Sequence, residues 1–265
     1  MKVGVIGVGV VGNANKVGFE QLGHEVMIHD IKLGTNINNV LDTEAVFVCV
    51  PTPSAKDGSC DTTIVKSVIM DLNHLGYKGI VAIRSSTVPG FCQSMIDEYT
   101  NLKICFVPEF IRERHAVDDF TKDHSILVIG TEDNTTFDVI KKCHGHYPKH
   151  VQQLKPTEAE ICKYDMNIYA ALRITYANIV YEVAKKFDCN YTAIKDAYVK
   201  TGRHADMYLD VDPALRGYGG ACLPKDTKAW IRLLKDLNLD YELFDTVHKD
   251  NKKFKTTIFP GMRPE

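Results

Sequence analysis

No two of the eight cysteines form a CxxC pair, and their scatter lays out neither a zinc site nor a disulfide framework. Thiols spread in this way suit a reducing compartment. Charge of one sign is not in excess: 32 basic and 34 acidic side chains leave a net charge of -2. That balance argues against nucleic acid or an anionic membrane surface as the main partner. No apolar run reaches bilayer-spanning length. The chain opens directly on a strand-like Lys2-Val3-Gly4-Val5-Ile6, so no leader peptide and a cytoplasmic location are expected. What remains is ordinary for a globular protein, 45% hydrophobic and 25% charged. A chain of 265 residues is long enough for two domains.

Glycine carries the first signal. Gly7-Val8-Gly9-Val10-Val11-Gly12 follows the first strand immediately and reads G-x-G-x-x-G between strand and helix. Gly7 permits the turn, Gly9 admits a pyrophosphate to the backbone, and Gly12 lets the helix lie close to the strand. Val10 and Val11 then offer helix N-terminal amides to the phosphates. A second strand, Glu25 to Asp30, ends in an acid eighteen residues after Gly12. A carboxylate there takes ribose hydroxyls and repels a 2′-phosphate, which favours NAD over NADP; Lys32 weakens the preference slightly. Further strand-like segments at 45–50, 79–84, 103–107 and 126–129, with a helix over 62–75, predict a parallel doubly wound sheet of Rossmann type. Ligands of such sheets sit at the carboxyl ends of strands. Thr52, Ser85-Ser86-Thr87 and Pro108-Glu109-Phe110-Ile111-Arg112-Glu113 fall there, although each could be ordinary loop chemistry.

After about residue 153 the alternation stops. Thr157 and Glu160 have capping-box spacing, with Pro156 just outside, and nothing breaks a helix before about Lys186. The expected organisation is a dinucleotide-binding domain over 1–153 and an all-α central domain over 154–265. The long helix is apolar on more than one face, a pattern suited to packing against a second copy and hence to a homodimer. Lys163 and Asn167 share one of its faces. Shorter helices are expected at 191–200, 226–237 and 241–255, and a frayed tail at Ile258–Gly261. Cys143, His144 and His146 lack convergent ligand spacing, so no metal is expected. Between the helices lies Gly217-Tyr218-Gly219-Gly220-Ala221-Cys222-Leu223-Pro224-Lys225-Asp226. Its glycines allow close backbone approach, and a cation and a carboxylate follow the thiol. That inventory suits either an activated sulfur nucleophile or a Gly-rich turn beside a structural cysteine.

In order, Gly7–Gly12, Val48-Cys49-Val50-Pro51-Thr52-Pro53, Ser85–Gly90, Pro108–Glu113, the helix segment Glu158–Tyr169 and Gly217–Asp226 resemble the UDP-glucose/GDP-mannose dehydrogenase family. The resemblance is to its UDP-glucose 6-dehydrogenases in particular. It implies a two-step, four-electron oxidation of a sugar C6 alcohol to a carboxylate with two NAD⁺, on UDP-glucose in preference to other nucleotide sugars. It assigns Cys222 as the nucleophile, Asp226 to proton removal through a water, and Lys163 with Asn167 to oxyanion stabilisation. Glu109 with Thr87 would serve proton transfer and thioester hydrolysis, and Glu113 would lie near the nicotinamide. The substrate would further meet Phe110, Ile111, Arg112, Tyr218 and Gly219. Arg203 is carried over weakly because its loop differs in length. Arg216 stands where the family usually has an aromatic residue, and would offer a phosphate contact. The family's C-terminal nucleotide-binding domain has no counterpart in these 265 residues. Two other readings stay open, a β-hydroxyacid-type dehydrogenase with one oxidation and a non-catalytic NAD-binding relative. Two, one or no NADH released per substrate separates the three.

Overall fold

The computed structural model describes residues 1–254. The tail at Ile258–Gly261 and the final residue of the last expected helix lie outside them. Two compact units form. The first is Met1–Pro53 with Cys60–Lys163; the second is, among the described residues, Ser54–Ser59 with 164–254.

The first unit is a seven-stranded sheet in the order β2-β1-β3-β4-β5-β6-β7. Its strands are β1 (Lys2–Ile6), β2 (Glu25–His29), β3 (Ala45–Val48), β4 (Ile80–Ile83), β5 (Lys103–Phe106), β6 (Ile126–Gly130) and β7 (His150–Leu154). All neighbours pair in parallel except β5 and β6, which meet antiparallel at Phe106 and Gly130. The side-chain period of two sorts the strands onto two cores. Val46, Val48, Val81, Ile83, Ile104 and Phe106 face α2 (Thr63–His74) and α3 (Phe91–Glu98). Ala45, Phe47, Ala82, Cys105 and Val107 face α1 (Val10–Gln21), α4 (Ala116–Thr121) and α5 (Asn134–His144). Strands β3 and β4 are buried throughout, which is why they read as continuous apolar runs. The sheet order reverses between β1 and β3, the switch point where doubly wound sheets open a ligand crevice.

Helix α6 (Pro156–Lys186) begins in the first unit and continues into the second. It starts one residue before Thr157, with Pro156 in the first turn, where a missing N–H costs nothing. The expected Thr157–Glu160 capping box does not describe this start. Glu158 instead accepts the Lys155 N–H at 2.8 Å, and Glu160 is drawn elsewhere. The second unit adds α7 (Tyr191–Lys200), α8 (Leu223–Asp236) and α9 (Leu243–Asn251). One of its apolar clusters joins Ala177, Ala184, Tyr191 and Leu209; another joins Ala171, Tyr218 and Val247. Tyr169, Tyr176 and Val183, seven residues apart along α6, each stay more than half exposed, at 56%, 52% and 53%. Among the described residues no helix is long and apolar enough to cross a membrane.

Candidate active site

In the first unit the three glycines are demanded by geometry. Gly7 has φ +85°, and a Cβ on it would meet the Cys49 carbonyl at 2.8 Å, across the β1/β3 switch point. A Cβ on Gly12 would lie 1.8 Å from the Gly7 carbonyl oxygen, so only glycine lets α1 approach the turn. Gly9 faces open space and caps α1 with no side chain, and the first turn holds no acid. The amides of Val10, Val11 and Gly12 therefore point out of a bare, electropositive helix end. Asp30 follows β2 and accepts from Val8 N through Oδ2 and from Lys32 N through Oδ1, each at 2.7 Å. The Val8 hydrogen bond, against some burial, holds its carboxyl below the usual range. Those two bonds leave lone pairs of an ionised carboxylate over, since such a group offers about four acceptor sites. An open phosphate cradle beside an ionised acid is what a dinucleotide requires, and these residues fit it.

The loops at the carboxyl ends of β3, β4 and β5 are tethered rather than loose. Thr52 is buried after β3. Ser85 donates to the carbonyls of Val48 and Val50 at 3.2 and 2.7 Å. Thr87 is 1% exposed and its hydroxyl donates to Glu160 Oε1 at 2.8 Å. Glu160 also accepts Cys92 N on Oε1 and Gly90 N on Oε2, at 2.8 and 2.7 Å. It thus caps α3 from a distance, since the local cap, Gly90 at φ +95°, has no side chain to do so. Burial pushes the Glu160 carboxyl up to about 7 despite these three donors. Nothing in the sequence reading singled Glu160 out for this role.

Beyond β5, Glu109 and Lys163 are both nearly buried, at 9% and 6% exposure. The Lys163 ammonium donates to the Glu109 carbonyl at 2.7 Å and lies 3.5 Å from Glu109 Oε1. Glu109 Oε2 accepts Ile111 N at 3.0 Å, and the Phe110 ring lies 5.7 Å from Lys163 Nζ. Arg112 is exposed but forks onto Asp119, with Nε to Oδ2 at 3.0 Å and Nη2 to Oδ1 at 2.5 Å. Glu113 opens a short 3-10 turn through His115.

The second unit brings Cys222, Asp226 and Asn167 to the start of α8. Cys222 is exposed and occupies the N-cap position. The helix starts at Leu223 rather than Asp226, because Pro224 is compatible with a first turn. Asp226 consequently lies one turn after the thiol, fully buried at 0% exposure. Its Oδ2 accepts Asn167 Nδ2 at 2.6 Å and its Oδ1 accepts Lys225 Nζ at 2.6 Å. Arg203 is exposed in the loop after α7. Arg216 has Nε on Asn178 Oδ1 at 2.5 Å, Nη2 on the Asn178 carbonyl at 3.1 Å and Nη1 on Glu182 Oε1 at 2.6 Å. Its guanidinium also lies 4.5 Å from the Tyr181 ring centre and 5.1 Å from that of Phe254. Tyr218 is buried and Gly219 half-buried.

Residues 32–147 match the NAD binding domain of the UDP-glucose/GDP-mannose dehydrogenase family, and residues 157–253 match its central domain. The chain belongs to that family. The first match begins downstream of the Gly7–Gly12 turn, so the fingerprint rests on the geometry above. Among similar proteins is a UDP-glucose 6-dehydrogenase of Rickettsia bellii, 26% identical over 96% of this chain and 67% of its own. UDP-glucose 6-dehydrogenase TuaD of Bacillus subtilis is 27% identical over 97% of this chain and 64% of its own. A solved UDP-glucose dehydrogenase from Pyrobaculum islandicum superposes with a TM-score of 0.85 at 27% identity, covering 95% of this chain and 68% of that one. The chain thus spans about two thirds of the length of these relatives.

Proposed function

We propose that this chain is an NAD-dependent dehydrogenase that oxidises the C6 alcohol of a nucleotide sugar, UDP-glucose first among candidates, to the carboxylate. The observation that carries the reading is the start of α8, where an exposed cysteine caps the helix one turn before a buried, doubly held carboxylate. A helix N-terminus favours the thiolate over the thiol, and the thiolate is the nucleophile.

Bound NAD⁺ would supply the hydride acceptor for each of two oxidations. In the first, Asp226 draws off the hydroxyl proton through a water as the C6–H bond breaks. The Cys222 thiolate then adds to the aldehyde carbon, forming a C–S bond and a thiohemiacetal oxyanion that Lys163 and Asn167 stabilise. Loss of a second hydride from that carbon leaves a thioester on Cys222. Water, with its proton taken toward Glu109, cleaves the C–S bond to release the carboxylate and restore the thiol. Each substrate thus yields two NADH and consumes one water. The exposed heptad positions of α6 support a homodimer as the working form, testable by its mass in solution.

The test is NADH release from UDP-glucose, GDP-mannose and UDP-N-acetyl sugars, with the acid identified, for the native protein and Cys222→Ser. The native protein should release two NADH per sugar and the variant should make no acid. Acid formation by Cys222→Ser would remove the covalent step, and one NADH per substrate would favour a single-oxidation enzyme.

A further inference from the structure

We propose that Asn251, the last residue of α9, is a positioning residue that fixes the loop presenting Cys222. The consequence for turnover rests on the dehydrogenase reading above; the structural claim does not. Asn251 is 5% exposed, and its amide makes two reciprocal bonds with one residue of the loop. Its Oδ1 accepts Tyr218 N and its Nδ2 donates to the Tyr218 carbonyl, both at 2.8 Å. Tyr218 is itself 2% exposed, so these backbone groups have no ready exchange for water. A primary amide alone among side chains of this length supplies both a donor and an acceptor in one plane.

The neighbouring contacts make the anchor rigid. One turn earlier on α9, His248 Nδ1 lies 3.5 Å from the Tyr218 hydroxyl. The Tyr218 side chain packs with Ala171 of α6 and Val247 of α9. From the other side Asn178, 2% exposed, accepts Gly217 N at 3.3 Å through the same Oδ1 that accepts Arg216 Nε. Residues 216–218 are therefore gripped by α6 and α9 together. Past that grip, Gly219, Gly220 (φ +80°) and Ala221 lead to Cys222, where α8 begins. Glycines cannot hold a direction of their own, so the fixed point at Tyr218 decides where the thiol emerges. In this arrangement α9 acts on the chemistry without touching any reacting atom.

Asn251→Asp keeps the shape but replaces the donor with a carboxylate oxygen, whose repulsion of the Tyr218 carbonyl drives the loop off and opens both bonds, the one from Tyr218 N included. Three readouts test the proposal. Hydrogen exchange at the Tyr218 amide should be strongly protected in the native protein and about tenfold or more faster in the variant. Alkylation of Cys222 by iodoacetamide between pH 6 and 9, normalised to the exposed Cys189 in the same unit, should change in rate and in pH midpoint. The apparent kcat should fall about tenfold or more with the KM for NAD unchanged. Fast exchange at Tyr218 in the native protein would overturn the anchor outright. An unaltered Cys222-to-Cys189 profile after loss of Tyr218 protection would reduce Asn251 to a stability residue. Should Asn251→Asp not melt cooperatively, Asn251→Ser takes its place with the same readouts. If the native protein shows no dehydrogenase activity, exchange and alkylation still decide the structural claim.

Discussion

Glu160 gives a stability signature that can be isolated from every other ionisable group. Its carboxyl titrates at about 7 in the folded chain against an ordinary 4.5, because burial outweighs the bonds from Cys92, Thr87 and Gly90. Below pH 4.5 the group is protonated whether or not the chain is folded, and its contribution to stability is fully present. As pH rises from 4.5 toward 7 the unfolded chain ionises while the folded one keeps its proton, so stability falls. At about 1.4 kcal/mol per pH unit the total loss is about 3 kcal/mol, complete above pH 7.

Glu160→Gln removes the titration and adds a fixed defect. Its carbonyl can keep Thr87 and Cys92, but its NH₂ then faces Gly90 N, which now donates at 2.7 Å. Two donors opposed in a buried site cost about 1–3 kcal/mol at every pH. The native protein should therefore be the more stable of the two near pH 5 and lose that advantage by pH 8, the difference moving by about 2.5 kcal/mol across that window. Urea unfolding at unit pH steps is followed by far-UV circular dichroism, which reports the helices of both units, and by fluorescence of Trp230, in the second unit. A native-minus-variant difference that stays constant from pH 5 to 8 would refute the reasoning. It would mean that three hydrogen-bond donors suffice to keep this buried carboxylate ionised.

Gly12→Ala should abolish NAD binding, because a Cβ 1.8 Å from the Gly7 carbonyl forces α1 off the turn; equilibrium dialysis with NAD⁺ measures it. Lys195→Met should loosen the loop after α7, since the buried ammonium holds Asp206 at 2.9 Å and Asp210 at 2.8 Å. Limited proteolysis should then cut within residues 201–216 at least about tenfold faster, a change of about 1.4 kcal/mol in local opening.

The sheet was legible because physics writes it with short periods. Alternation on β3, β4 and β5 places every second residue on one core, and a four-residue apolar run between turns has few other readings. Helix starts were less legible. Pro224 looks like a helix breaker from the sequence, yet in a first turn it removes an N–H that had no acceptor. Strand β7, His-Val-Gln-Gln-Leu, was invisible because it is polar and partly exposed at the sheet's edge. Glu160 was hidden by a local pattern that matched a capping box, although its partners lie about seventy residues upstream. Asp226 and Asn167 were named from the motif, but the hydrogen bond that joins them was not.

The residues that escaped notice share one physical origin. A loop able to bend around a ligand must be rich in glycine and poor in internal contacts, so it cannot define its own path. Something outside must satisfy its buried backbone groups, and only a polar side chain on a rigid element can do so without moving. Glu160 does this for Gly90 and Cys92, Asn178 for Gly217, and Asn251 for Tyr218. Each tether is buried and tens of residues from what it holds, so no motif window contains both ends. Arg216 follows the same logic: its guanidinium is engaged by Asn178 and Glu182, helping to fix the stretch of chain that leads to the thiol. Replacing such a tether should alter where a reactive group points before it alters whether the chain folds. That ordering separates a supporting side chain from one that merely fills the core.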